Sequence, residues 1–118
     1  MPHIVLTHSS TIQDKKINYE ALFKELSITL ASDDFCDITA IKCYHHTPQH
    51  VYLPTNNGFV HVELKLLERK TIDIQQKATK LRTIIKKAFP KSYAYDPSIF
   101  SFEVLIMNKD LYMKGSSF

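Results

Sequence analysis

Proline at position 2 is the residue whose chemistry depends most on where it stands. In Met1-Pro2-His3-Ile4-Val5-Leu6, loss of the initiator methionine leaves Pro2 with a free secondary amine, a titratable base at the head of an apolar, strand-like run. An α-amino group titrates at roughly 7.7–8.0, and desolvation with neighbouring cations draws it towards neutrality. A base poised there suits proton abstraction next to a carbonyl. The ring fixes φ, so the nitrogen is aimed with few conformers to freeze out. A retained Met1 would instead seal that nitrogen in an amide without basicity. As a bare dipeptide, Met-Pro is also an ordinary way for a chain to begin.

Other groups that could do chemistry carry less. His45, His46 and His50 resemble a metal cluster at first sight, but Pro48 prevents the helical spacing that would converge two of them on one ion, so they are read as loop histidines. His61 reads as a hydrogen-bonded histidine at a subunit contact rather than an acid catalyst. His3 stands beside Pro2, although strand alternation turns its side chain to the opposite face. Cys36 and Cys43 fit neither a Cys-x-x-Cys pair nor a zinc site and are read as free, buried thiols in a reducing compartment. No metal and no cofactor are expected.

The elements that must hold Pro2 follow from hydropathy. Ile4, Val5 and Leu6 make a strand that the polar run Thr7-His8-Ser9-Ser10 ends, and residues 11–17 form a linker. Asn18 caps a first helix in which Tyr19, Leu22, Phe23, Leu26 and Leu30 share one face, ending near Ala31. Ser32-Asp33-Asp34 breaks it, and residues 37–46 return to a strand. Pro48, Pro54 and Asn56-Asn57-Gly58 mark a loop with a brief extended contact at Val51-Tyr52-Leu53. Then comes the cleanest period-two stretch, with Val60, Val62, Leu64 and Leu66 on one face and Phe59, His61, Glu63 and Lys65 on the other. Thr71 is expected to cap a second helix, with Asp73 in its first turn and Ile74, Ala78, Leu81, Ile85 and Ala88 or Phe89 as its buried stripe. Lys86 and Lys87 form its solvated end, and Phe89-Pro90 closes it. Residues 100–106 make a fourth strand, and residues 107–118 a tail ordered against another subunit.

The reading is α+β: β-α-β repeated twice, a four-stranded mixed sheet with both helices on one face. With 118 residues it is one domain, residues 1–118, with halves at about 2–46 and 58–106. The uncovered face is expected to be partly apolar, which argues for oligomerisation. A net charge of +3 favours small anions but falls far below a nucleic-acid footprint, so no nucleic-acid partner is expected. No apolar run could span a bilayer and no signal sequence is present, so no membrane partner and a cytoplasmic location are expected.

Two folds share this order of elements. In the ferredoxin-like fold, aromatics on central strands bind single-stranded RNA, and Gly58-Phe59-Val60-His61-Val62 partly matches that signature. It lacks the flanking aromatics, and residues 2–6 offer no stacking ring. The other is the tautomerase fold. Met1-Pro2-His3-Ile4-Val5-Leu6, Leu22-Phe23, Leu30-Ala31, Ala40-Ile41-Lys42, Gly58-Phe59-Val60-His61-Val62-Glu63-Leu64-Lys65, Gln75-Gln76 and Ser101-Phe102-Glu103 together resemble the 5-carboxymethyl-2-hydroxymuconate isomerase family.

That resemblance implies a cofactor-free homotrimer in which the mature N-terminal proline is general base and then acid. It would shuttle a proton on an unsaturated 2-hydroxy or 2-oxo acid in aromatic-compound catabolism, with arginines holding the substrate carboxylates. This chain departs from its relatives there. Lys42-Cys43-Tyr44 stands where the family has Arg-x-Arg, and Lys70 where it has an arginine before the second helix. Lysine keeps the charge but loses the bidentate fork, and Tyr44 keeps only a hydroxyl. Arg69, one position earlier, is available for the missing role. The resemblance therefore implies Pro2 as the catalytic residue and Lys42, Tyr44, Arg69 and Lys70 as substrate-binding residues. The lost arginines also motivate a second reading, a tautomerase-fold binding or scaffold subunit that no longer catalyses.

Overall fold

A computed structural model describes residues 2–9, 17–54, 58–89 and 97–118. Its main elements are β1 (His3–His8), α1 (Tyr19–Ala31), β2 (Lys42–His46), β3 (Val60–Leu67), α2 (Thr71–Ala88) and β4 (Phe100–Met107). One sheet runs in the order β2-β1-β3-β4, with β1 parallel to β2, β3 parallel to β4, and β1 antiparallel to β3. Each helix thus connects two neighbouring parallel strands. Because β1 pairs directly with β2, the first β-α-β unit is not split by an intervening strand, which separates this topology from the ferredoxin-like one.

Alternation along the strands decides the core. Ile4 and Leu6 of β1 and Val60, Val62, Leu64 and Leu66 of β3 are almost fully buried on the face that both helices cover. Leu22, Leu26 and Leu30 of α1 and Ile74, Leu81 and Ile85 of α2 pack against them. Each such side chain contributes about 1.5–3 kcal/mol of apolar burial. Asn18 caps α1 as its sequence position suggests, its side-chain oxygen accepting from the Ala21 N–H at 3.0 Å.

Several expectations change. β1 continues through His8, so His8 and Ser9 do not end the strand in solvent; both are buried. Ile17 belongs to the core, whereas residues 10–16 of the expected linker lie outside the described residues. The second strand is half its expected length, because the Asp37 side chain accepts from the Thr39 N–H and hydroxyl and turns Ile38–Ala40 into a 3-10 helix. The N-cap of α2 is Lys70, with Thr71 the first helical residue, and Phe89 rather than Ala88 completes its buried stripe. Pro90 and Asn56-Asn57 lie outside the described residues.

The uncovered face is apolar only in part, at Val5, Tyr44 and Leu105. It carries His3, Val5, Thr7, Lys42, Tyr44, His46, His61, Glu63, Lys65, Ser101, Glu103 and Leu105, a surface dominated by polar and charged groups. Exposed apolar side chains also gather along the far end of β4 and the tail: Leu105, Ile106, Leu111, Met113 and Phe118. No helix among the described residues is long and apolar enough to cross a membrane.

Candidate active site

Pro2 is buried at the head of β1, in the middle of the sheet, where its carbonyl accepts from the Lys42 N–H at 3.0 Å. Two segments flank that end. One is the turn after α1, residues 32–41, which runs directly into β2. The other is the β3–α2 junction, since the register pairs His3 with Lys65 and so sets Leu66 opposite Pro2 one step further on.

Arg69 ties the two segments together. Its Nε donates to the Phe35 carbonyl at 2.9 Å and its Nη1 to the Leu67 carbonyl at 3.1 Å, with the guanidinium 5.1 Å from the centre of the Phe35 ring. Lys77 approaches the same ring from α2, at 5.5 Å. It is only 5% exposed, and its ammonium donates to the carbonyls of Thr29 at 3.0 Å and Ser32 at 2.7 Å and to the Ser32 hydroxyl. A lysine in the helix's apolar stripe thereby holds the C-terminal end of the neighbouring helix, where carbonyls lack intrahelical partners. The turn it holds is strained. Asp33 and Asp34 have φ of 59° and 56°, the left-handed region that residues with a Cβ seldom enter.

The electrostatics of this end are cationic. Arg69 and Lys77 both act on the Cys36 thiol, yet burial is the larger influence and pushes the thiol up, so Cys36 is not poised as a nucleophile. Asp33 meets Lys77 only at 3.9 Å and is itself 84% exposed. The carboxyl of Asp37 is held below the usual range by its bonds to the Thr39 backbone and hydroxyl, which turn it onto its own loop. Carbonyl oxygens satisfy the donors of Arg69 and Lys77 but cancel no net charge.

The sequence-derived candidates separate into groups. Lys42 and Tyr44 sit on the open face beside His3, whose Nδ1 lies 3.5 Å from the Tyr44 hydroxyl with the rings edge to face. Burial, and then nearby positive charges that include Lys65 and Lys42, lower the His3 pKa. Lys70 is exposed at the start of α2 and makes no side-chain capping bond. Lys77 and Phe35 did not stand out in the sequence. The available signal for Lys77 was a charged residue next to Ala78, one position inside an otherwise apolar stripe.

At the other end of β1, His8 is fully buried, its Nε2 2.7 Å from the Tyr19 hydroxyl and its Nδ1 2.9 Å from the Ser9 carbonyl. His45 stacks on Tyr19 with ring centres 3.9 Å apart. His45 is thus a packed strand residue and not a loop histidine, because β2 carries it onto the face that α1 covers. Cys43 is a free, half-buried thiol, 3.4 Å from the Ser27 hydroxyl, and burial raises it.

Two parallel β-α-β units joined antiparallel in one sheet, with a proline at the head of a central strand, define a tautomerase-fold protein. A macrophage migration inhibitory factor-like protein from Entamoeba histolytica aligns over 96% of this chain and 94% of its own with a TM-score of 0.70 at 10% identity. A fused 4-OT symmetric trimer aligns over 98% and 95% with a TM-score of 0.71 at 8% identity. The chain belongs to the 5-carboxymethyl-2-hydroxymuconate isomerase family, whose sequence model matches residues 2–118. A 5-carboxymethyl-2-hydroxymuconate isomerase from Deinococcus radiodurans R1 aligns over 96% of this chain and 87% of its own, with a TM-score of 0.81 at 18% identity. No curated protein sequence matches the chain. Family and fold together support an isomerase or tautomerase role.

Proposed function

We propose that the chain is a cofactor-independent keto-enol tautomerase acting on an unsaturated 2-hydroxy or 2-oxo carboxylic acid such as 5-carboxymethyl-2-hydroxymuconate, with the amine of mature Pro2 as base and then acid. The observation that carries this reading is the burial of Pro2 at the head of a central strand, beside segments that carry the half-buried Arg69 and the buried Lys77, both hydrogen-bonded to carbonyl oxygens. Enol and ketone interconvert through a dienolate. The Pro2 nitrogen removes the proton from the 2-hydroxyl, charge spreads along the conjugated system, and the protonated amine returns the proton to carbon. A fixed positive field favours the free amine and the anionic intermediate together. Lys42, Lys70, Tyr44 and Arg69 are the proposed carboxylate-binding groups.

A homotrimer is the proposed assembly. It is supported by the exposed Ile106, Leu111, Met113 and Phe118, at 50%, 74%, 60% and 98% exposure, and by the trimeric 4-OT relative. Light scattering should give three times the 13.7 kDa chain mass; a monomer at micromolar concentration would overturn the proposed trimer.

The decisive experiment follows ketonisation of 2-hydroxymuconate or phenylenolpyruvate in the ultraviolet, alongside intact mass. Loss of Met1 and a fall in kcat/KM of about 10²–10⁴ for Pro2→Ala are expected, the usual worth of a positioned acid-base group. Equal turnover in that variant would remove Pro2 from the mechanism. One observation favours a second reading, a binding subunit without turnover: Arg69, the arginine nearest the family position, already spends its fork on two backbone carbonyls. Proline-dependent turnover would exclude it.

A further inference from the structure

We propose that His61, Glu63 and Glu103 on the open face of the sheet form a binding site for a first-row divalent cation, with zinc as its natural probe. Strand alternation puts His61 and Glu63 on the same face of β3, and the parallel register with β4 sets Ser101 opposite His61 and Glu103 opposite Glu63. The imidazole Nε2 lies 3.7 Å from Glu63 Oε1 and 3.9 Å from Glu103 Oε1. Both separations exceed hydrogen-bond length. One nitrogen and two carboxylate oxygens therefore surround a single point, all within 4.8 Å of one another. Donors at 2.0–2.2 Å from a tetrahedral ion stand about 3.4 Å apart. The two nitrogen–oxygen separations are within about half an ångström of that value, the carboxylate oxygens lie no more than 4.8 Å apart, and the glutamates, 30% and 53% exposed, have room to draw together around an ion.

The imidazole is what points to a metal rather than to an ordinary acidic patch. Its other nitrogen, Nδ1, is 2.6 Å from the Ser101 hydroxyl, and the second oxygen of Glu63 faces the Lys65 ammonium at 3.5 Å. Each of these two groups is thus gripped on its far side, leaving Nε2 and Oε1 aimed inward, as outer partners commonly orient metal ligands. With the Nδ1 proton donated to Ser101, three lone-pair-bearing atoms converge, and only a positive centre between them relieves the repulsion. At 3.7 and 3.9 Å a proton on Nε2 makes a short hydrogen bond to neither carboxylate, whereas an ion between the three engages all of them. Mixed nitrogen and oxygen donors favour zinc, cobalt or manganese over magnesium or calcium. Water completes the coordination, and the ion would tie the edge strand β4 to β3.

Calorimetric titration of the full chain with zinc at pH 7.5, with magnesium and calcium as controls, tests the site without any substrate and so independently of the isomerase reading. One zinc ion per chain is expected. His61→Ala and Glu103→Gln should each weaken binding at least ~10-fold and Ser101→Ala about 10-fold, the usual cost of a lost outer partner, with the far-ultraviolet dichroism unchanged. Glu103→Gln and Ser101→Ala alter exposed side chains, so they keep the test open if the histidine variant does not fold. No saturable zinc uptake would mean that a proton alone sits between these groups and would overturn the proposal, as would uptake indifferent to Glu103→Gln and Ser101→Ala.

Discussion

The two ends of β1 bury polar side chains in different ways. At the His8 end, rings and hydroxyls close on one another: His8 meets Tyr19 and the Ser9 carbonyl, and the Ser9 hydroxyl accepts from the Phe59 N–H at 3.1 Å. At the Pro2 end, two cations are satisfied by neutral carbonyls, and nearby carboxylates are exposed or turned away. Hydrogen bonding is met at both ends, but only the second is built on cations, and Asp33, the carboxylate paired with Lys77, is exposed and 3.9 Å away. A network that closes on itself holds the fold together. A network that keeps a surplus of one sign can also attract a ligand of the other sign, which is the ground for placing the proposed carboxylate substrate at the Pro2 end.

Variants can break this contrast or sharpen it. The largest effect expected is the loss of turnover in Pro2→Ala, with unfolding midpoints nearly unchanged. Next is Lys77→Met, which removes the charge-assisted hydrogen bonds from the ammonium to the Thr29 and Ser32 carbonyls; at about 1.5–3 kcal/mol for a hydrogen bond to a charged group, urea denaturation should show a loss of about 2–4 kcal/mol. Turnover should fall with it, because the turn carrying Phe35 loosens. Full activity in a destabilised Lys77→Met protein would make that cation purely structural.

Tyr19→Phe should cost about 1–2 kcal/mol through the lost bond to His8 and leave kcat and KM alone. An altered KM there would dissolve the distinction between the two ends. The smallest effect concerns pH. His3 has a folded pKa below its ordinary 6.5, so the unfolded chain binds more protons in the window just beneath that value, and stability rises with pH across it. His3→Gln should flatten that stretch of the stability–pH curve, measured as midpoint against pH, while stability above about pH 7 stays the same.

Much of the fold was legible because its signals are local. The period-two run from Val60 to Leu66, the Asn18 cap and the Leu22-Leu26-Leu30 stripe each need only the chain's own geometry, and the structure repeats them residue for residue. The shortened second strand was hidden because Asp37 and Thr39 compete for the backbone in a way that β-propensity ignores. On the open face the outward residues of β3, His61, Glu63 and Lys65, were legible from the same period, whereas Phe59 precedes the strand.

By itself the sequence determined the elements, the helix-facing core and the place of a proline at position 2, since hydropathy period, caps and a residue's place along the chain are properties of neighbouring residues. Only the tertiary structure decided that Lys77 holds the end of a helix 48 residues away in the chain, that Arg69 spends its fork on Phe35 and Leu67, and that His61 faces Glu103 across two strands. Those contacts depend on strand register and helix packing, which join residues far apart in sequence and leave no periodic trace along it.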